Sequence, residues 1–197
     1  MLYFWDLLGV FVGAVSGGLA GRRKNMDWFG IYVVGLLSGI GGGTLRSLLI
    51  GDVPPPVLKD PAYLIVAAAA TVVAIVAEPL WRRIHRVVSF VDAISLGVFV
   101  SIGVRVSENH HMAWWACLGL GVITGTFGGV LRDIARAEVP LIFRKEIYAT
   151  AGIVGGAVLL GMDTLHVEPN TGLCIATILV TVIRMLAIRY AINQSEG

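Results

Sequence analysis

Charge is what this chain most lacks. Only 14% of its 197 residues are Asp, Glu, Lys or Arg, and 56% are hydrophobic; a soluble domain carries about 25% charged residues. There is too little polar surface to cover a water-facing globule, so a soluble fold is excluded and hydrocarbon is part of the solvent. Cysteine is scarce as well. Cys117 and Cys174 lie in separate apolar runs without disulfide or metal spacing, and read as small hydrophobic residues. The four histidines fall in loops or at the ends of apolar runs. His110-His111 has no further ligands beside it, so neither a metal nor a cofactor is expected. There is no Walker motif, nucleophile elbow or zincin signature, which leaves an enzyme without support. A net charge of +2 is too small to suggest nucleic acid.

What is present is a series of seven apolar runs, at 2–20, 28–50, 61–80, 87–104, 112–131, 147–162 and 171–192. Most approach 20 residues, the length of a membrane-crossing helix and twice that of a barrel strand. Backbone polar groups in hydrocarbon need internal partners, so such runs are helices. The basic cluster Arg22-Arg23-Lys24 follows the first run instead of preceding it, so that run reads as a span and not as a signal peptide. Asp60-Pro61 suits the start of the third helix. With the N-terminus outside, the inside loops hold Arg22 to Lys24, Arg82, Arg83, Arg86, the stretch from Arg132 to Lys145, and Arg189. The outside loops then hold little beyond Lys59 and Arg105. This positive-inside asymmetry predicts an all-α membrane protein of seven transmembrane helices, N-out and C-in, in the cell (inner) membrane.

The chain also repeats itself at an offset of 86 residues. Asp6 maps onto Asp92, Gly17 onto Gly103, and Gly35, Gly39 and Gly43 onto Gly121, Gly125 and Gly129. Arg46 maps onto Arg132, Pro54 onto Pro140, and Lys59 onto Lys145. Each unit holds three spans, so the second enters the membrane from the opposite side. The expectation is one membrane domain over 1–197: repeat one at 2–81, an inverted repeat two at 87–163, and an extra helix at 171–192. Inverted repeats commonly frame a transport pathway, although a structural membrane protein can also arise by duplication.

Within the second and fifth runs, Gly41-Gly42-Gly43 and Gly125-Thr126-Phe127-Gly128-Gly129 predict a kink or unwound turn, because glycine is costly in a helix interior. Freed carbonyls there suit a dehydrated cation. Close helix packing is the competing reading, since the glycines recur every four residues. Arg46 and Arg132 sit about a turn inside helix ends, and Asp6 and Asp92 about a turn inside helix starts. The topology places Asp6 with Arg46 near one face and Asp92 with Arg132 near the other, as two symmetry-related ion pairs able to act as gates. Snorkelling of each arginine to headgroups is the alternative. Asp133 is a further partner for its neighbour Arg132. Ser16, Ser38, Thr44, Ser101 and Thr124 either line a wet path or bond to helix carbonyls. Arg144 and Lys145 are placed to meet anionic lipid headgroups.

Gly42-Gly43-Thr44-Leu45-Arg46 and Gly128-Gly129-Val130-Leu131-Arg132 share a glycine-glycine-x-x-arginine element, each followed by Val-Pro, at Val53-Pro54 and Val139-Pro140. An Asp opens each unit, and the second loop runs into Arg144-Lys145-Glu146-Ile147-Tyr148-Ala149-Thr150-Ala151-Gly152. In these features the chain resembles, from Asp6 to about Arg189, the bacterial branch of the TRIC (trimeric intracellular cation) channels, a family that has also carried a glycine-transporter label. The resemblance implies a homotrimer with a pore inside each subunit, conducting potassium and other monovalent cations. It also implies kinked second and fifth helices at that pore, with Gly41, Gly42, Gly43, Arg46, Gly128, Gly129 and Arg132 as the matched positions. The first unit has Arg46-Ser47 where the family often has Arg-Asp, and the second keeps Arg132-Asp133, so equal charge at the two mouths is not implied. A transporter of glycine or another small zwitterion is the second expectation.

Overall fold

The computed structural model describes residues 2–77, 87–144 and 147–195. Among these residues the secondary structure is helical: α1 (Leu2–Arg22), α2 (Trp28–Ile50), α3 (Pro56–Lys59), α4 (Ala62–Val76), α5 (Val87–Asn109), α6 (Trp114–Ala135), α7 (Leu141–Arg144), α8 (Ala149–Thr164) and α9 (Pro169–Ser195). Five of them, α1, α2, α5, α6 and the Pro169–Tyr190 part of α9, are long and apolar enough to cross a membrane. The apolar helices α4 and α8 have 15 and 16 residues. At about 1.5 Å per residue they reach roughly 22–24 Å, short of the ~30 Å hydrocarbon layer.

Local chemistry sets the helix ends. The Asp27 carboxylate accepts the Gly30 N–H at 2.7 Å and caps α2, which stops at Gly51, a left-handed residue (φ 77°) whose N–H returns to the Leu48 and Ser47 carbonyls. Asp60 accepts the Ala62 N–H at 2.9 Å at the start of α4 and the Tyr3 hydroxyl at 2.6 Å. These contacts, that of Tyr3 foremost, hold its carboxyl below the usual aspartate range. The short helices α3 and α7, not anticipated from the sequence, fall at nearly equivalent places in the two units.

Helices α1 and α5 form the centre. Both are buried around much of their circumference, as expected of a helix that is apolar all round. Val10, Ala14, Ala67, Ala70, Ala74, Phe99 and Ile102 join α1, α4 and α5 into one core. Helix α9 packs on α5 and α8.

Helices α2 and α6 are unbroken through their glycine clusters, so the unwound turns expected at Gly41–Gly43 and Gly125–Gly129 are not there. The glycines serve approach instead. A methyl on Gly39 would meet the Val10 carbonyl oxygen at 2.7 Å, and one on its equivalent Gly125 the Leu96 carbonyl oxygen at 3.0 Å. Val10 and Leu96 are themselves 86 apart, so α1 packs on α2 as α5 packs on α6. Across the middle, a methyl on Gly42 would overlap the Thr124 carbonyl oxygen, and one on Gly128 the Ser38 carbonyl oxygen. Again both members of each contact are repeat equivalents. Backbones that close tolerate no side chain.

Candidate functional site: two buried arginine sites at opposite ends of the α2–α6 crossing

At the end of the bundle where α5 begins, Arg132 is 3% exposed and surrounded by oxygen. Its Nη1 donates to Asp92 Oδ1 and, at 3.2 Å, to Ser16 Oγ; its Nε donates to Asp133 Oδ1 at 2.8 Å. Asp133 Oδ2 accepts the Leu141 N–H at 3.0 Å, which ties α7 to the site. The network continues outward. Arg136 Nη1 lies 3.7 Å from Asp133, Arg136 Nη2 donates to Glu138 Oε1 at 3.1 Å, and Lys24 Nζ reaches the same oxygen at 2.9 Å. The Lys24 ammonium holds the Glu138 carboxyl below its usual range. On the other flank, Gly129 leaves room for the Tyr148 hydroxyl, which would lie 2.9 Å from a methyl there.

At the end where α1 begins, the equivalent residues meet more loosely. Arg46 is also 3% exposed, but its Nη1 stands 4.0 Å from Asp6 Oδ1, too far for a hydrogen bond. Nε and Nη1 of Arg46 have no hydrogen-bond partner, and neither does the hydroxyl of Ser47, the residue in Asp133's place. Asp6 is held from elsewhere: the Tyr63 hydroxyl donates to its Oδ2 at 2.6 Å. Gly43 and Thr44, with Asp6, Arg46, Tyr63 and Pro56, line a narrow cleft with barely room for water at its centre.

The structure thus brings Asp92, Asp133 and Arg132 together, places Asp6 and Arg46 side by side, and puts Gly43 and Thr44 at the cleft. Gly41, Gly42, Gly125 and Gly128 lie in helix contacts; a methyl on Gly41 would meet Leu131 Cδ1 at 2.5 Å. The Thr124 hydroxyl bonds to the Leu120 carbonyl at 2.6 Å, and Ser101 to that of Gly97 at 2.9 Å. Ser16 instead accepts from Arg132. Arg144 is exposed at the end of α7, whereas Lys145 lies outside the described residues, as do Arg82, Arg83 and Arg86. Among the described residues no group of His, Cys, Asp or Glu is arranged to hold a metal.

Four participants were not singled out from the sequence: Tyr63, Tyr148, Arg184 and the partnership of Ser16 with Arg132. Arg184 had a signal, a cation within an apolar run. The tyrosines had little, because Tyr63 is offset from the repeat equivalent of Tyr148 by one position.

The family model described as "Glycine transporter" matches residues 3–79 and 89–164, one match in each unit. The UPF0126 inner membrane protein YadS of Escherichia coli K12 is 38% identical over 193 residues, covering 96% of this chain and 93% of that protein. The TRIC trimeric intracellular cation channel orthologue from Rhodobacter sphaeroides superimposes with a TM-score of 0.89 at 29% identity, covering 96% of this chain and 98% of the other. A structure described for conductance through TRIC cation channels does so with a TM-score of 0.83 at 31% identity, covering 95% and 93%. The family is channel-like, and these relatives are membrane proteins, not enzymes. The chain is a multi-pass protein of the cell (inner) membrane and belongs to the TRIC channel family, bacterial branch, the family whose model carries the glycine-transporter description.

Proposed function

We propose that the chain is a cation channel that conducts potassium and other monovalent cations through each subunit, along the interface of two inverted repeats at 2–81 and 87–163. Seven spans cross the membrane, N-out and C-in, the short helices α4 and α8 by local thinning of the bilayer, so that the Asp92 end, with Lys24, Arg136 and Arg144, faces inward. The subunits form a homotrimer, the Rhodobacter relative being trimeric by name, with Arg144 at the lipid headgroups. The observation that carries the reading is the placement of one buried arginine at each end of the α2–α6 crossing, each beside a carboxylate. Bare arginines repel cations. Paired ones do so less, and a pair that separates exposes a carboxylate to the passing ion. Arg46 and Arg132 act as the gates, and Gly43 and Thr44 border the outer approach.

The test is single-channel recording from purified protein in a planar bilayer under a potassium gradient. Discrete steps are expected, with open probability raised at least several-fold by Arg132→Ala and less by Arg46→Ala. Currents identical in both variants would remove the gating role.

A second reading is supported by the unpaired N–H groups of Arg46, 4.0 Å from Asp6. Those donors suit the carboxylate of a small zwitterion, which would enter as Arg46 and Asp6 move apart. Saturable uptake of labelled glycine into liposomes, with no current steps, would favour it.

A further inference from the structure

Helix α9 lies outside the 86-residue repeat, yet it carries a buried charge. Arg184 is 4% exposed. A guanidinium loses several kcal/mol of hydration on burial, even after the protein relaxes around it, and a leucine at this place would avoid that loss. The contacts made in return are directional. Arg184 Nη1 donates to the Ile147 carbonyl at 2.9 Å, and its Cζ lies 4.6 Å from the centroid of the Tyr148 ring. That distance is within the range of a cation–π contact, which is strongest where water is excluded. Tyr148 is itself 2% exposed. Its hydroxyl occupies the space beside Gly129, where Arg132 Nη2 also comes within 3.6 Å of the would-be methyl.

The first unit is built differently. Its tyrosine, Tyr63, needs no clamp because its hydroxyl bonds directly to Asp6 at 2.6 Å. Tyr148 has a cation over its face in place of that anchor, and the cation comes from the helix that the repeat does not supply.

We propose that Arg184 is a positioning residue for the Arg132 site. It pins Tyr148 over Gly129 and Arg132, and so couples the packing of α9 to access at the Asp92 end. A displacement of α9 then releases the tyrosine before any bond to Arg132 is broken. The proposal rests on Arg132 controlling access at that end.

A reporter thiol is placed at Val130, the repeat equivalent of the cleft residue Thr44, in full-length protein carrying Cys117→Ala and Cys174→Ala. Its modification by a cationic thiol reagent added at the Asp92 face of liposomes is timed in parallel with bilayer currents. Arg184→Met is expected to speed modification roughly ten- to thirty-fold, the worth of a desolvated cation–π contact. Arg184→Lys, which keeps a cation but loses the planar fork, is expected between the two. Tyr148→Leu should match Arg184→Met, and the double variant should add nothing further. A general loosening of the fold would instead make the two effects add. An unchanged rate in folded Arg184→Met overturns the proposal. If Arg184→Met does not fold, Arg184→Lys and Tyr148→Phe are read instead, and unchanged rates in both have the same meaning. Absence of current in every protein, the parent included, would count against the channel reading, while the modification rates would still decide the clamp.

Discussion

At the Asp92 end an arginine is held by Asp92, Asp133 and Ser16, and a chain of charges leads from it to Lys24 at the surface. At the Asp6 end the equivalent arginine faces its carboxylate across 4.0 Å, with two nitrogens unpartnered and serine in the place of the second aspartate. One substitution in the repeat pattern, Asp133 against Ser47, accounts for much of this. It adds an acceptor for Arg132 Nε and an anchor for the loop at Leu141, both of which Arg46 lacks. The two arginines are therefore held unequally: Arg132 by three side chains, Arg46 by a loose pairing with Asp6.

The comparison breaks most sharply on the arginines themselves. Arg132→Met leaves Asp92 buried without its cation, and Asp133 with only Arg136 at 3.7 Å, and is expected to cost about 3–5 kcal/mol, the usual penalty for orphaning a buried charge. Arg46→Met removes a guanidinium that is already poorly satisfied, so its cost should lie within about 1 kcal/mol of zero and can be favourable. Chemical unfolding in detergent, followed by tryptophan fluorescence, compares the two directly; equal losses would contradict the asymmetry.

A smaller contrast lies between neighbouring glycines. Gly42→Ala drives a methyl into the Thr124 carbonyl and is expected to cost about 2–3 kcal/mol even after the gain in helix propensity. Gly43→Ala meets only Arg46 Nη2, at 3.8 Å, and should be neutral or stabilising by up to about 1 kcal/mol. Melting temperatures of the two proteins test this, and a tolerant Gly42 would mean that α2 and α6 can part.

The smallest effect concerns the surface end of the charge network. Lys24 lowers the pKa of Glu138 in the folded protein. That contact therefore stabilises above the usual glutamate range and is lost as pH falls through the lowered value. Both side chains are partly exposed, so the contribution is under about 1 kcal/mol and screened by salt. Lys24→Met should flatten the acid limb of a melting-temperature profile slightly, at low ionic strength only.

Much of this architecture was legible in the residues. The apolar runs place the long helices, the offset of 86 aligns the two units, and Asp92 with Arg132 follows from topology alone. The glycine clusters were legible as special but ambiguous in kind. A run such as Gly41-Gly42-Gly43 is compatible with a broken helix or a tight crossing, and only the position of the Thr124 and Ser38 carbonyls decides. Ser16 was beyond reach because its partner is 116 residues away. Tyr63 and Tyr148 were hidden because aromatic residues in an apolar run look like core, and because the repeat pairs each with an alanine, Ala149 and Ala62.

The reciprocal contact at Gly42 and Gly128 bears on how such a chain came to be. Each glycine accommodates a carbonyl from the other unit, at positions that correspond. A two-fold dimer of a single three-helix unit would make the same isologous contact, with one glycine serving twice. In a single chain the same duty falls to two glycines, neither of them relaxed, since loss of one still forces the shared crossing apart. The charged ends are under no such mutual constraint, as Asp133 against Ser47 shows. Divergence is expected to accumulate where the halves face the membrane surfaces, and to spare the place where they touch.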